Sequence, residues 1–302
     1  MVNLAVLVLC FALGIALRRA GRLPPDAHKT LNAFVINVAL PALILRYVHD
    51  LRYDGRLLLP AAMPWVMFGA SALFFAGLGG LAGWSRQTTG GLILSGGLAN
   101  TSFVGLPMIE TFYGPAFLGV GILVDQLGTY MVLSTAGLLV AGLYAGTDWV
   151  GPAALARRIA TFPPAQALVL ALLLIPVHYP EPIVATLDRL GGTLAPVALV
   201  SVGFQLRLGE LRGAWRALSA GLLFKLVLGP ALVAALLVLG LHAGGKIVQV
   251  TIFEAAMGPQ IGGAIVAMES GLDAKLVGLM VGIGIPVSLL TAAAWCYLLG
   301  GV

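Results

Sequence analysis

Three consecutive hydrogen-bonding side chains lie in the middle of an apolar segment that extends from about 88 to 112: those of Asn100, Thr101 and Ser102. Pro107 follows them, and a proline removes a helical hydrogen bond and crowds the carbonyl group four residues before it. Asparagine, threonine and serine favour helix caps over helix interiors. We therefore predict a helix that stops and starts again inside a membrane, where an interruption must be buried in protein or line a wet cavity. A proline-kinked structural helix is the alternative that this stretch alone leaves open.

A second interruption is predicted in a later apolar segment, where Pro259 leaves the carbonyl group of Ala255 without its usual helical partner. Each interruption creates a helix N-terminus, which carries unpaired N–H groups and about half a positive charge. Two such termini facing one cavity can bind an anion without an arginine. This pattern predicts a small anionic substrate, such as a carboxylate. The candidate substrate-binding residues are Asn100, Thr101, Ser102, Gly105, Pro107, Asp125, Gln126, Tyr130, Pro259, Gln260 and Gly262.

Three ionisable residues lie deep in apolar segments: Asp125, Lys225 and Glu254. Charged side chains inside a membrane are costly and usually functional. We expect these residues to couple substrate occupancy to the movement of H⁺ or Na⁺. A structural ion pair is the alternative for Lys225 and Glu254, and Asp125 could instead be an ion ligand or a buried neutral acid. The spacing of histidines and cysteines predicts no metal site, and we expect no other cofactor.

The composition indicates that membrane helices must position these residues. Of 302 residues, 60% are hydrophobic and 10% are charged, whereas a soluble domain carries about 25% charged residues. The net charge of +5 is scattered over short loops, so we expect no nucleic-acid partner. The sequence contains no HExxH motif, no Gly-x-Ser-x-Gly motif and no pair of intramembrane aspartates, and we do not predict an enzyme. We predict an all-α integral membrane protein whose surroundings are the lipid bilayer.

Ten apolar segments are candidates for transmembrane helices, each close to or above the roughly 20 residues that a span requires. They lie at 2–18, 29–46, 58–82, 88–112, 115–146, 161–178, 182–205, 214–240, 246–269 and 274–299.

The two halves of the chain share a pattern. The first segment is followed by Leu23-Pro24-Pro25-Asp26, and the sixth by Tyr179-Pro180-Glu181-Pro182. Five segments per half is an odd number, so the second copy must be inverted in the membrane, as in many secondary transporters. We predict a five-helix repeat at 1–146, a cytoplasmic connection at 147–160 and an inverted five-helix repeat at 161–302. The broken helices 4 and 9 should then cross at the membrane midplane.

Lysine and arginine residues predict the orientation, because they accumulate in cytoplasmic loops. The loops after odd-numbered segments contain more of them: Arg18, Arg19, Arg22, Lys29, Arg86, Arg157, Arg158, Arg207, Arg212, Arg216 and Lys275. The opposite side contains Arg46, Arg52, Arg56, Arg189 and Lys246. We therefore expect a multi-pass protein of the cell (plasma or inner) membrane with both termini outside.

Several motifs resemble those of the auxin efflux carrier family, the plant PIN-type carriers and their bacterial relatives. The strongest is Asn100-Thr101-x-x-x-Gly105-x-Pro107, followed by Tyr113-Gly114. Asn32-x-Phe34-Val35, Leu40-Pro41 and Glu254-Ala255-Ala256-Met257 support it. The resemblance covers essentially the whole chain. It implies a scaffold of helices 1, 2, 6 and 7, often dimeric, and a moving transport domain of helices 3–5 and 8–10.

The resemblance also implies roles for individual residues. Asn100 would contact the substrate carboxylate, and Asp125 and Tyr130 would occupy a polar position and a tyrosine position of the fifth helix. The plant carriers tend to have a neutral glutamine where this chain has Asp125, which argues against auxin as the substrate and against an uncoupled mechanism. Bacterial members are associated with dicarboxylates such as malonate.

Residues and resemblance together predict a secondary transporter that moves a small organic anion, auxin-like or a dicarboxylate, by an elevator-type alternating-access mechanism. We expect a homodimer. An ion channel or a non-transporting ligand sensor on a transporter-like fold is the alternative function.

Overall fold

The computed structural model describes residues 2–49, 57–146, 151–205 and 214–301, and the described residues form helices and turns without a strand. The helices are α1 (Val2–Arg19), α2 (Ala27–Tyr47), α3 (Leu58–Ala82), α4 (Arg86–Gly97), α5 (101–112), α6 (Pro115–Ala145), α7 (Pro152–Ala160), α8 (Pro163–Leu173), α9 (Glu181–Gln205), α10 (Trp215–Gly240), α11 (Lys246–Ala255), α12 (Ile261–Glu269) and α13 (Ala274–Leu298).

Within the described part of the chain, six helices are long and apolar enough to cross a membrane: α2, α3, α6, α9, α10 and α13 with its last turn. Helices also occupy the other predicted segments, but the fourth and ninth are each divided in two. The sixth is shorter than predicted, because α8 ends at Leu173 rather than near 178. Its end precedes Pro176, and a helix usually stops before a proline. The ten crossings, the inverted repeats and the orientation stay predictions.

The connection at 147–160 contains a short helix, α7, that the sequence did not predict. Residues 147–150 lie outside the described residues. The same is true of some basic residues that predicted the orientation: Arg52, Arg56, Arg207 and Arg212.

Helices α1 and α9 approach each other backbone to backbone. A Cβ atom on Gly14 would lie 2.2 Å from the carbonyl oxygen of Val200, and one on Gly203 would lie 2.1 Å from that of Phe11. Small residues at such contacts permit the close packing that is common between membrane helices. The contact joins the first helix of the chain to the predicted seventh span, both assigned to the scaffold.

Hydrogen bonds tie α4, α6 and α13 together at one end. Asp273 caps α13 by accepting the N–H group of Leu276 at 3.0 Å, and its other carboxylate oxygen accepts the Thr88 hydroxyl at 3.0 Å. The guanidinium group of Arg86 donates to the carbonyl oxygen of Leu143 at 2.6 Å. These bonds hold three elements of the predicted moving domain as one unit.

Candidate binding site at the paired helix breaks

The two helix interruptions meet. Ala99 and Pro259 form an isolated antiparallel bridge. The N–H group of Asn100 donates to the carbonyl oxygen of Gly258 at 2.8 Å, and that of Gln260 donates to the carbonyl oxygen of Leu98 at 3.1 Å. Each break leaves backbone groups without a helical partner, and groups of the other break form hydrogen bonds with them. This meets the requirement that backbone polar groups inside a membrane be hydrogen-bonded.

The helix after the first break is capped by Asn100. Its side-chain oxygen accepts the N–H group of Phe103 at 3.2 Å, and its backbone carbonyl accepts that of Gly105 at 2.9 Å. The amide nitrogen Nδ2 of Asn100 is buried and has no hydrogen-bond partner among the described residues. A buried unpaired donor is costly, so this nitrogen is available to an acceptor on a ligand.

A cavity of about 260 Å³ lies beside the paired breaks. Pockets that hold drug-sized ligands are typically about 300–1,000 Å³, so this one suits a small metabolite. Its polar lining comes from both breaks, α6 and the end of α12: Asn100, Ser102, Asp125, Gln126, Tyr130, Gln260 and Glu269. Its other residues include Ile36 and Leu40 of α2, Gly262 of α12, and Phe162 just before α8.

Asp125 is the centre of a polar network beside the cavity and is only 2% exposed. One carboxylate oxygen accepts the hydroxyl groups of Thr101 and Ser102, each at 2.5 Å. The other oxygen accepts the side-chain amide of Gln126 at 2.6 Å. The three donors compensate for the loss of water around the buried carboxyl group. The two hydroxyl bonds also attach α6 to the first turn of α5.

Local helix geometry brings Asp125 and Tyr130 together. Residues 124–130 of α6 form π-helical turns, which pair residues five positions apart and often occur at functional sites. Asp125 and Tyr130 are separated by five positions and both line the cavity. The Tyr130 ring also stacks on Phe162, with ring centroids 3.9 Å apart. Tyr130 therefore connects α6 to the start of α8.

The remaining predicted substrate-binding residues lie behind the cavity surface. Thr101 is fully buried and supports Asp125. Pro259 forms the bridge with Ala99, and Pro107 is buried in the helix of the first break. A Cβ atom on Gly105 would lie 2.2 Å from a carboxylate oxygen of Glu254. These four residues shape the site without lining it.

Lys225 and Glu254 are both fully buried, yet they do not form a hydrogen-bonded pair. The ammonium group of Lys225 donates to the carbonyl oxygen of Ala255 at 2.8 Å. This is the carbonyl that Pro259 deprives of a helical partner, so Lys225 caps the broken end of α11. Both carboxylate oxygens of Glu254 lack a hydrogen-bond partner among the described residues. Neither residue lines the cavity.

Glu269, at the end of an apolar segment, lines the cavity and is not among the predicted substrate-binding residues. The four-residue spacing before Glu269 could have placed it on the cavity face of the helix. Ile261, Ile265 and Glu269 follow one another at intervals of four residues, which places them on one face of a helix. All three line the cavity, so the face of α12 that begins at the break ends in a carboxylate.

The chain matches the family model described as membrane transport protein over residues 1–150 and 152–296. It is similar to an uncharacterized transporter of Methanothermobacter thermautotrophicus, with 30% identity over 304 residues that cover 98% of this chain and 97% of the relative. It is also similar to an uncharacterized transporter of Methanocaldococcus jannaschii, with 26% identity over 290 residues and 92% of each chain.

These matches agree with the motifs around Asn100 and Glu254. The matched residues include both helix breaks, the cavity and all three intramembrane ionisable residues. Several helices of spanning length accompany the match, so the protein is a multi-pass membrane protein. The chain belongs to the membrane transport protein family, which includes auxin efflux carrier-like proteins.

Proposed function

We propose that the protein is a secondary transporter for a small organic anion, auxin-like or a dicarboxylate, whose carboxylate binds at the paired helix breaks. The meeting of the two breaks beside a cavity of about 260 Å³ carries this proposal. Broken helices at corresponding positions of two halves are the best pointer to a transporter binding site.

The anion is bound by groups that need no basic side chain. Asn100 presents a buried, unpaired amide donor. The first turns of α5 and α12 begin at the breaks, and such turns supply N–H groups and a partial positive charge. Charge-assisted hydrogen bonds to a carboxylate are roughly twice as strong as neutral ones. The first break provides the main contacts through its side chains, and the second contributes mainly backbone.

The cavity lies between two groups of helices that are proposed to move relative to each other. The scaffold side of the cavity is formed by Ile36 and Leu40 of α2 and by Phe162 before α8, and α5, α6 and α12 supply the other side. An elevator motion would carry the breaks past this scaffold. The same proposal includes ten spans in two inverted repeats at 1–146 and 161–302, external termini and a homodimer. The repeat pattern supports the inverted repeats, the distribution of lysine and arginine supports the external termini, and the family resemblance supports the dimer.

Asp125 is the proposed link to a coupling cation, H⁺ or Na⁺. It is buried, it lines the cavity, and it is bonded to the helix that binds the anion. Lys225 and Glu254 lie behind the breaks, where they affect coupling through the position of α11.

The direct test is uptake of labelled carboxylates into liposomes that contain the purified protein. Asn100→Asp keeps the helix cap, because aspartate caps as well as asparagine, but it removes the amide donor and adds a negative charge. We expect the variant to fold normally and to lose at least about tenfold in uptake, the equivalent of one charge-assisted hydrogen bond. Asn37→Ala, an exposed position on α2 that does not line the cavity, is the control and should transport normally.

Equal uptake by Asn100→Asp and the unmodified protein would refute the proposed site. Currents far above the turnover of a carrier would instead indicate a channel, and binding without uptake would indicate a sensor.

A further inference from the structure

The cavity has a charge distribution that does not match a simple anion. Among the described residues that line it, two are acidic, Asp125 and Glu269, and none is basic. A substrate carboxylate would enter this space as a further negative charge. Like charges disfavour each other when they are close and poorly solvated.

The unpaired buried atoms of the lining are mainly acceptors. Gln126 uses its amide nitrogen to bond Asp125, which leaves its oxygen Oε1 buried without a partner. The Oε1 atom of Gln260 is also buried and unpaired. One carboxylate oxygen of Asp125 accepts a single hydrogen bond, so it retains capacity for another. The buried unpaired donor among the described lining residues is the amide nitrogen of Asn100.

A ligand that satisfies this lining must itself be bipolar. Its acceptor end belongs at Asn100 and the helix N-termini, and its donor end belongs beside Asp125 and Gln126. A carboxylate accepts hydrogen bonds only, whereas an ammonium group has three donors and no acceptor. A dicarboxylate would place its second negative end beside the acceptors, where buried polar groups would stay unpaired.

We propose that the substrate is a small zwitterion of the amino-acid class, with its carboxylate at Asn100 and its protonated amine at Asp125, Gln126 and Gln260. This proposal rests on the proposed transport site for a substrate carboxylate, but it replaces the simple anion with a molecule that also carries a positive charge. The substrate ammonium group takes the place of the coupling cation beside Asp125. The cavity volume of about 260 Å³ accommodates such a molecule.

The test compares matched pairs of ligands that differ by the amine alone: γ-aminobutyrate with butyrate, and β-alanine with propionate. Glutarate and butylamine complete the panel as a dicarboxylate and a lone amine. Affinity is measured by isothermal titration on the purified, full-length protein in detergent. A site built to bond a substrate N–H group strongly rejects an analogue that lacks it, so we expect at least one amino acid to bind more than about tenfold tighter than its partner.

Asp125→Asn should abolish this preference, because it removes the negative charge that faces the amine. Asp188→Asn is the matched control, since Asp188 is partly exposed and pairs with Arg46 away from the cavity. The control should retain the full preference.

The outcomes distinguish a failure of the zwitterion proposal from a failure of the proposed transporter function. Equal binding within each pair, or tighter binding of glutarate, would overturn the zwitterion and leave the organic-anion transporter intact. Tight binding of butylamine alone, or no binding of any carboxylate-bearing ligand, would overturn both.

Discussion

The two helix breaks use different chemistry to solve the same problem. At the first break the polar groups are side chains: Asn100 caps the new helix, and Thr101 and Ser102 bond to Asp125. At the second break the side chain of Gln260 does not cap α12, and the released carbonyl of Ala255 is bonded by Lys225 from another helix.

This difference assigns separate tasks to the breaks. The first has a donor without a partner and adjoins an acidic network that lines the cavity. The second is held in shape by a buried cation that stays outside the cavity. We propose that the first break recognises the carboxylate of the ligand, whereas the second supports the first break and supplies mainly backbone groups to that carboxylate.

The largest expected effect comes from the contact between the breaks. Gly105→Ala would put a methyl group 2.2 Å from a carboxylate oxygen of fully buried Glu254. Overpacking typically costs about 1–3 kcal/mol and occasionally more, and we expect about 3 kcal/mol here. Chemical denaturation of the purified protein measures the loss of stability.

Gly69→Ala is the control for that substitution, because no neighbouring atom lies within 4 Å of its Cβ position. The double variant Gly105→Ala with Glu254→Ala should recover part of the loss, since the second change removes the clashing carboxylate. Additive losses in the double variant would show that the two residues do not contact each other.

Removal of the Lys225 cap should have the next largest effect. Lys225→Met leaves the buried carbonyl of Ala255 unpaired, which costs about 1–3 kcal/mol, and it removes the positive charge that interacts with Glu254. We expect the free energy of unfolding to fall by about 2 kcal/mol. Carboxylate affinity of the folded protein should change by less than about threefold, which is a change of less than about 1 kcal/mol in binding free energy. Denaturation and titration calorimetry measure the two quantities.

Lys246→Met is the matched control, since Lys246 bonds to Gln249 at the start of α11, at the far end from the break. A stability unchanged by Lys225→Met, or a complete loss of ligand binding in a folded variant, would contradict the supporting role of the second break.

The smallest effect is expected at Glu269, which is exposed and lines the cavity. Glu269→Gln removes a negative charge near the ligand, so affinity for a simple carboxylate should rise by up to about fivefold, as expected for an exposed charge worth at most about 1 kcal/mol. The gain should shrink at high salt because exposed charges are screened. Titration at two ionic strengths tests this, and weaker binding by the variant would exclude the predicted repulsion.

The sequence predicted the helices and both interruptions well, because these depend on local chemistry. Pro107 and Pro259 cannot continue a hydrogen-bonded helix, and the polar run at Asn100 favours a cap. The same reasoning identified the carbonyl of Ala255 as unsatisfied. The predicted sixth segment was too long, because its apolar character continues past the end of α8.

The contacts between distant elements could not be predicted. Lys225 reaches Ala255 across 30 positions, and Thr101 reaches Asp125 across 24. Such pairs depend on how each helix is rotated about its axis, which an apolar sequence with little amphipathic pattern does not determine. The π-helical turns of α6 could not be predicted either, because the hydrophobic pattern of an all-apolar helix does not distinguish π-helix from α-helix.

The most direct test of the difference between the breaks is carboxylate affinity measured on two variants in one calorimetric titration series. Asn100→Asp removes the unpaired donor of the first break, and Gln260→Ala removes the side chain of the second. We predict that carboxylate affinity falls at least about tenfold in Asn100→Asp, a loss of about 1.4 kcal/mol or more in binding free energy. In Gln260→Ala it should fall less than about threefold, a loss of less than about 0.7 kcal/mol. Equal losses, or a larger loss for Gln260→Ala, would contradict the assignment of carboxylate recognition to the first break.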